Sequence, residues 1–327
     1  MINYIMRRLG YMVVTMVIVA VLGYIIMELP PGSYVDAEIS RLRMAGGNLA
    51  PEQIKAMYQR YGLDKPQYVQ FWLWISHFVV GDFGQSYQYN MPVNQLIWGR
   101  LGLTLVFSIL TLIFSWVVAI AVGVYSATHR YTIPDYLITA GQFIGLAVPN
   151  FLLALVLMVF AQNVFHMQVG GLFSSQYLNA PFSMGKFLDL LNHMWIPIVV
   201  IGASGTAWLS RVMRANLLDV LNMQYVQTAR AKGLKESVVT WKHAFRNAIH
   251  PLIMVLGSSL PGIISGETIV AIVLNLPTTG PLYINALLQK DMYLAGAFLM
   301  FLALALLIGN LGADILLAWV DPRIRYE

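Results

Sequence analysis

The chain has 327 residues, 58% of them hydrophobic and 11% charged, with a mean hydropathy of +0.66 and a formal net charge of +5. A domain bathed in water carries about 25% charged residues, so this composition excludes an ordinary soluble domain and points to a membrane protein. The absence of cysteine excludes disulfides, thiolate metal sites and a cysteine nucleophile; the six histidines show no metal-ligand spacing and no HExxH, and the positive balance needs only basic loops beside anionic lipid, not nucleic acid.

A bilayer is crossed by about 20 mostly apolar residues. Six such runs occur, at 9–29, 101–128, 136–165, 195–212, 252–274 and 294–320. Arg7 and Arg8 precede the first, as in a signal peptide, but the run is longer than a signal core of about 7–15 residues and no small-residue cleavage site follows. It is expected to be a retained span. Arg130, Arg211, Arg214, Arg230, Lys232, Lys235, Lys242, Arg246, Arg323 and Arg325 join Arg7 and Arg8 in segments that share one side when the amino terminus is inside. The basic residues of 30–100 lie in a long loop, where charge is a weak topological signal, so both termini are expected on the cytoplasmic side.

The first external loop, about 30–99, contains helical pieces. In PEQIKAMYQRYGL, Pro51 suits a first helical position, Ile54, Met57, Tyr58 and Tyr61 form a stripe, and Gly62 suits the end. A second amphipathic piece over 68–78 would put Trp72 and Trp74 near the membrane interface.

The third run contains Gln142, Pro149, Asn150, Gln162 and Asn163. Polar groups at that depth either line a solute path or hold helices together, and the pattern does not choose between them. Gly141 with Gly145, and Gly262 with Gly266, are small-residue pairs that let helices approach. The fourth and fifth runs carry IGASGTAWLS at 201–210 and GSSLPGIISGET at 257–268, whose small and hydroxyl side chains permit close packing and could also meet a passing polar solute. Ser204, Ser258, Ser259, Ser265, Glu267, Thr268 and Asn150 are therefore the candidate pore or gate residues. Glu267 and Asp314 are acidic residues inside the later runs; Glu267 is assigned to the pore wall in a structural or gating role, Asp314 to helix packing nearer the cytoplasm.

Between the fourth and fifth runs lies a basic block, 217–248. Leu218, Leu221, Tyr225 and Ala229 recur at helical steps as one apolar face, Gly233 permits a bend, and Val238, Trp241, Phe245 and Ile249 restart the spacing into the fifth run. A short helix, a glycine bend and a second helix continuous with a span are expected.

YVQTARAKGL at 225–234 followed by HAFRNA at 243–248 resembles the cytoplasmic signature loop of ABC-importer permeases, and most closely that of the dipeptide/oligopeptide/nickel permease family. The stretches YGLDKPQYVQFWLW at 61–74, GDFGQSY at 81–87 and MPV at 91–93, and the ending DPRIRY at 321–326, resemble the same family. Two departures stand out: Gln227, Thr228 and Ala229 replace the Glu-Ala-Ala that opens the general loop, and Asn275 to Gly280 replace a Phe-Ser-Trp-Pro-Gly-Leu-Gly-like turn. The resemblance implies an all-α polytopic membrane protein with six transmembrane helices in the type I ABC importer permease fold, with a helical periplasmic insertion between spans 1 and 2. Its parts would be 1–29, the periplasmic 30–99, and the core permease domain 100–327.

It also implies an ATP-driven, binding-protein-dependent importer in the bacterial cytoplasmic membrane. This chain would form half the pore for peptides or a similar polar organic solute, beside a second homologous permease, two ATPase subunits or domains and a periplasmic or extracellular solute-binding protein. The coupling residues would be Tyr225, Thr228, Ala229, Arg230, Ala231, Lys232, Gly233 and Leu234. ATP and Mg would be bound on the partner ATPases, none by this chain, which has no GxxxxGK[ST] loop. An oligosaccharide or opine importer of the same family, and an ATP-independent secondary carrier, are the competing readings. A membrane enzyme is disfavoured: Ser204 and Ser210 lack a histidine and acid arrangement, and His129, His166, His193, His243 and His250 sit near run ends or in loops.

Overall fold

The computed structural model describes residues 2–47, 49–166, 170–178, 180–181, 183–265 and 268–320. Glu267, Gly266, Arg323, Arg325 and the DPRIRY ending lie outside them, as do the side chains of Ser258 and Ser265. Among the described residues the secondary structure is helical apart from one isolated bridge between Gln85 and Pro92. Four helices are long and apolar enough to cross a membrane, over Met6–Glu28, Val93–Thr128, Met184–Leu221 and Met292–Leu316.

The chain folds as two compact units. The first is built from residues 2–102 and 279–307, and takes in α1 (Ile2–Glu28), α2 (Tyr34–Met44), α3 (Pro51–Arg60), α4 (Gln67–Val79) and α14 (Thr279–Leu288), with the start of α5 (Val93–Thr128) and much of α15 (Met292–Val320). Small residues set its packing: a Cβ on Gly23 of α1 would sit 2.0 Å from Leu299 of α15, and one on Gly296 would sit 2.7 Å from the Trp74 ring. Trp74 is thus a core residue at 2% exposure rather than an interface anchor, while Trp72, two positions away, is exposed at 70%. Ser33 caps α2 in a reciprocal box with Asp36, whose carboxylate also accepts the Tyr58 phenol of α3. Pro51 opens α3, and Gly62, at φ +67, follows its end.

Asp291 joins the first unit's far-separated segments. It is fully buried ahead of α15, where its carboxylate accepts the Leu294 N–H at 3.3 Å, the Gln88 N–H at 3.2 Å and the Ser86 hydroxyl. Burial pushes its carboxyl above the usual range, although these hydrogen bonds pull the other way.

The second unit, 103–278 with 308–320 of the described chain, is organised on α8 (Met184–Leu221), a 38-residue helix that outruns the expected 195–212 at both ends. Packed on it are α6 (Ile133–Ala147), α7 (Asn150–Phe165), α12 (His250–Ser265) and α13 (Thr268–Val273). The run expected as one span over 136–165 is two helices meeting at 106°. Pro149 supplies no N–H, and it forces Val148 out of the helical region to φ −85, ψ 122, so the ladder stops there.

Candidate functional site

Two features of the second unit invite a functional reading: a cavity beside α8 and the surface loop that follows it. The cavity, about 280 Å³, lies among α5, α8, α12, α13 and residues 276–278. Its polar groups form a stripe on α5: Thr104, Ser108, Thr111 and Ser115 recur at four- and three-residue steps and so share one face of the helix. Trp208, Phe107, Leu112 and Ile201 supply apolar wall. Thr111 and Thr278, both lining the cavity, keep buried hydroxyl oxygens with no hydrogen-bond partner among the described residues. Such groups are costly unless water or a solute satisfies them, so the arrangement suits a path that is sometimes wet.

Of the pore candidates, Ser259 lines this cavity and bonds its own helix at Leu256 O, 2.7 Å away. Asn150 and Ser204 are brought together instead, Nδ2 donating to Oγ at 3.3 Å between α7 and α8. Gln142 likewise donates to Ser210 at 2.9 Å between α6 and α8. Each of these bonds holds two helices together. Gly145 approaches Ala203 and Ala207 of α8, whereas Gly141 meets nothing. Thr268 begins α13. The α5 stripe is the site feature the sequence reading missed, although its i, i+4, i+7, i+11 spacing was there to be counted.

At the other end of α8 the chain turns into α9 (Gln224–Ala231), α10 (Glu236–Val238), a π-helical turn (Val239–Ala244) and α11 (Phe245–Ala248). The apolar face drawn through Leu218, Leu221, Tyr225 and Ala229 does not belong to one helix: α8 ends at Leu221, Asn222 caps it, and α9 starts afresh at Gln224. Within α9 the inward positions are Val226 and Ala229, and Tyr225 is outside. The second stripe is split: Phe245 and Ile249 pack against the core while Val238 and Trp241 are exposed, and the fully buried positions are Val239, Ala244 and Ala248, the wider winding of 239–244 shifting the register.

Gly233 takes φ +76, its N–H donating to Arg230 O at 2.8 Å and that of Leu234 to Ala229 O at 3.4 Å, a left-handed close to α9. Arg230 is committed inside the loop. Its guanidinium meets both oxygens of Glu236 at 2.8 and 3.3 Å and donates to the terminal α8 carbonyl of Leu221 at 3.3 Å. Gln227 donates to that same carbonyl at 3.2 Å, Thr228 bonds back to Gln224 O, and Asn247 of α11 reaches the Tyr225 phenol at 2.7 Å.

The outcome is a two-faced element. One face is sealed onto the α8 and α12 core through Val226, Ala229, Val239, Ala244 and Leu252. The other presents 231–238 without a buried residue, and around it Tyr225, Leu234, Val238 and Trp241 at 37–52% exposure, interleaved with Lys232, Lys235 and Lys242. Hydrocarbon would not accept those ammonium groups and water would not favour that apolar area, so the face suits a protein partner.

Beneath the loop, Asp135 is 2% exposed and accepts from Arg214 of α8 at 2.9 Å, from the Tyr131 N–H at 2.9 Å and from the buried Ser126 hydroxyl of α5. It ties three helices at the base of the loop, and lay one residue outside the expected third span.

Residues 119–326 match the family model for the binding-protein-dependent transport system inner membrane component, and 1–108 match the amino-terminal model of such membrane components. The chain is 37% identical over 325 residues to the oligopeptide transport system permease protein AppB of Bacillus subtilis, covering 99% of both chains. It is 32% identical over 327 residues to the glutathione transport system permease protein GsiC of Escherichia coli K12, covering 100% of both. A putative peptide permease protein of Brucella ovis is 32% identical over 329 residues, at 99% of each chain.

Proposed function

The chain belongs to the family of binding-protein-dependent transport system inner membrane components, and from that premise we propose that it forms half of the pore of an ATP-driven peptide importer. It is a multi-pass inner-membrane permease and not an enzyme, and its family works with an ATPase and a solute-binding protein. The finer picture is our reading. Six crossings are counted as α1, α5, the bent α6–α7 pair, α8, the α12–α13 pair and α15, with α2–α4 periplasmic and both termini cytoplasmic. A second homologous permease completes the pore, two ATPase subunits carry ATP and Mg, and Glu267 belongs to the pore wall.

The observation that carries the proposal is the sealed-and-open character of 222–248. An element fixed to the core on one side and apolar and basic on the other transmits force only when its open face is packed into something that moves. ATP-driven closure of the ATPase pair would displace this element, and α8 and α12 would carry the displacement to the cavity wall. Each step is a shift between two populated arrangements, driven by contacts that differ between them. Peptide is chosen as solute because the relatives are named for oligopeptide and glutathione transport.

The test is purification of the tagged chain in mild detergent, identification of co-purifying chains, and peptide uptake in proteoliposomes loaded with ATP, with the solute-binding protein supplied outside. A second permease and ATPase chains, with peptide uptake that requires ATP, are expected. Purification alone with ATP-independent solute movement would establish a secondary carrier; ATP-dependent uptake confined to an oligosaccharide or opine would keep the importer and replace its solute.

A further inference from the structure

The first unit contains a polar cavity of about 420 Å³ that the pore and the coupling element do not use. Its floor is aromatic and buried: Tyr24, Trp74 and Tyr87 are each below 10% exposed. The two phenols are already spent on the walls, Tyr24 donating to Gln67 O at 3.0 Å and Tyr87 to Tyr61 O at 3.3 Å, so these residues offer the cavity mainly ring surface. The walls are braced ring against ring, with Tyr61 5.0 Å from Tyr87 and Tyr87 5.4 Å from Tyr293. Gly84 completes one side where no larger residue fits, since a Cβ there would lie 2.4 Å from the Tyr293 ring.

The rim has a different chemistry. Arg60 and Lys65 are exposed and have no carboxylate partner among the described residues; the nearest restraint on Arg60 is a long 3.4 Å bond to Asn90. Asp82 is the acidic lining residue, and it accepts the Gly84 N–H at 3.0 Å. Two cations against one carboxylate, Asp82, leave the cavity net positive and complementary to a carboxylate. The volume lies within the range of small-molecule sites, about 300–1,000 Å³.

We propose that this cavity binds the carboxyl-terminal residue of a peptide, its carboxylate held by Arg60 and Lys65 above the floor of Tyr24 and Tyr87. The site would hold solute on the side we read as periplasmic, apart from the pore. The guanidinium supplies paired planar donors and the ammonium a point charge, so a neutral amide end loses both attractions. A neutral sugar would find ring surface but nothing to satisfy the cations. The choice of ligand rests on the peptide-permease reading; the cavity and its charge do not.

The experiment titrates Ala-Ala-Phe, its carboxyl-terminal amide and maltotriose into the full chain in lipid nanodiscs, followed by saturation-transfer NMR. The free acid is expected to bind, with the amide at least about tenfold weaker. Arg60→Gln with Lys65→Gln should abolish that preference, while Lys55→Gln, an exposed cation of α3 away from the cavity, should keep it. Equal binding of acid and amide, binding that survives the double substitution, preference for maltotriose, or no binding up to about 10 mM would each overturn the site. If ATPase chains co-purify and ATP-driven peptide uptake proceeds while no peptide binds here, the site fails and the permease reading stands.

Discussion

Replacing Asp135 with Asn keeps the shape of the side chain and removes its charge at the point where α5, α6 and α8 are tied together. The Arg214 guanidinium then keeps its place, 28% exposed, without a carboxylate, and the bonds from Tyr131 N–H and the Ser126 hydroxyl become neutral ones. Breaking a buried ion pair by removing one partner costs about 3–5 kcal/mol, and the partial exposure of Arg214 puts this case at about 3 kcal/mol. Taking about 2–4 °C per kcal/mol for a unit of this size, the unfolding midpoint should fall by roughly 6–12 °C. The assay is intrinsic fluorescence of the detergent-purified chain, which has eight tryptophans, heated at one fixed rate because unfolding of such proteins is commonly irreversible. Asp135→Leu combined with Arg214→Met should recover most of the loss, since two apolar side chains leave no stranded charge. A single variant within about 2 °C of the parent, or a double variant no better than Asp135→Asn, would refute the assignment of this pair as the clamp beneath the coupling element.

The coupling element yields two further predictions. Gly233→Ala should cost about 1 kcal/mol at φ +76, and Gly233→Pro more, because it also removes the N–H given to Arg230 O; solute-stimulated ATP hydrolysis should fall in that order while membrane insertion is unchanged. Arg230→Glu should be rescued by Glu236→Arg, because the pair is internal, whereas Lys232→Glu should be rescued only by a change in the ATPase; co-purification of ATPase chains distinguishes the two. A fourth concerns pH. Asp36 is held below the usual carboxylate range, chiefly by the Tyr58 phenol, so its contribution is present above about pH 3.9 and is lost as pH falls through its depressed folded value. Asp291 is pushed the other way by burial, so its cost is absent in acid and grows as pH rises from about 3.9 through its raised folded value. A plot of midpoint against pH should lose that second slope in Asp291→Asn, and an unchanged slope would count against the buried carboxylate as its source.

The helical class and the long apolar crossings were legible because they depend on composition over windows of some 20 residues. Local punctuation was legible where glycine or proline had one geometric meaning: Pro51 and Gly62 bracket α3, and Gly233 closes α9 in the left-handed region. Pro149 was visible but was not used, since apolar runs in membranes often tolerate proline without losing the span. Periodicity located the helical pieces of 217–248 but misplaced Tyr225, Val238 and Trp241, because a three- or four-residue step assumes unbroken α-helical winding and this stretch has a cap at Asn222 and a π turn at 239–244. The Asp135–Arg214 tie spans 79 positions, and no local pattern announces a bond of that range. The cavity in the first unit was invisible for the same reason, although one of its aromatic residues, Trp74, had been expected near the membrane interface.

The π-helical turn has a consequence for how this protein tolerates insertions and deletions. Val239–Ala244 is wound one residue wider than the α-helix on either side. Deleting a single residue there would let the stretch rewind as α-helix with little change of phase, because six residues of the wider winding and five of the α-helix sweep nearly the same angle. Val238, before the turn, would stay on the outward face, and Ala248, beyond it, would stay in the core. The turn is therefore a store of one removable residue: a loss inside 239–244 is absorbed by tighter winding, whereas a loss within Phe245–Ala248, already wound as α-helix, would turn the outward surface by about 100° relative to α12 and present a partner with the wrong side.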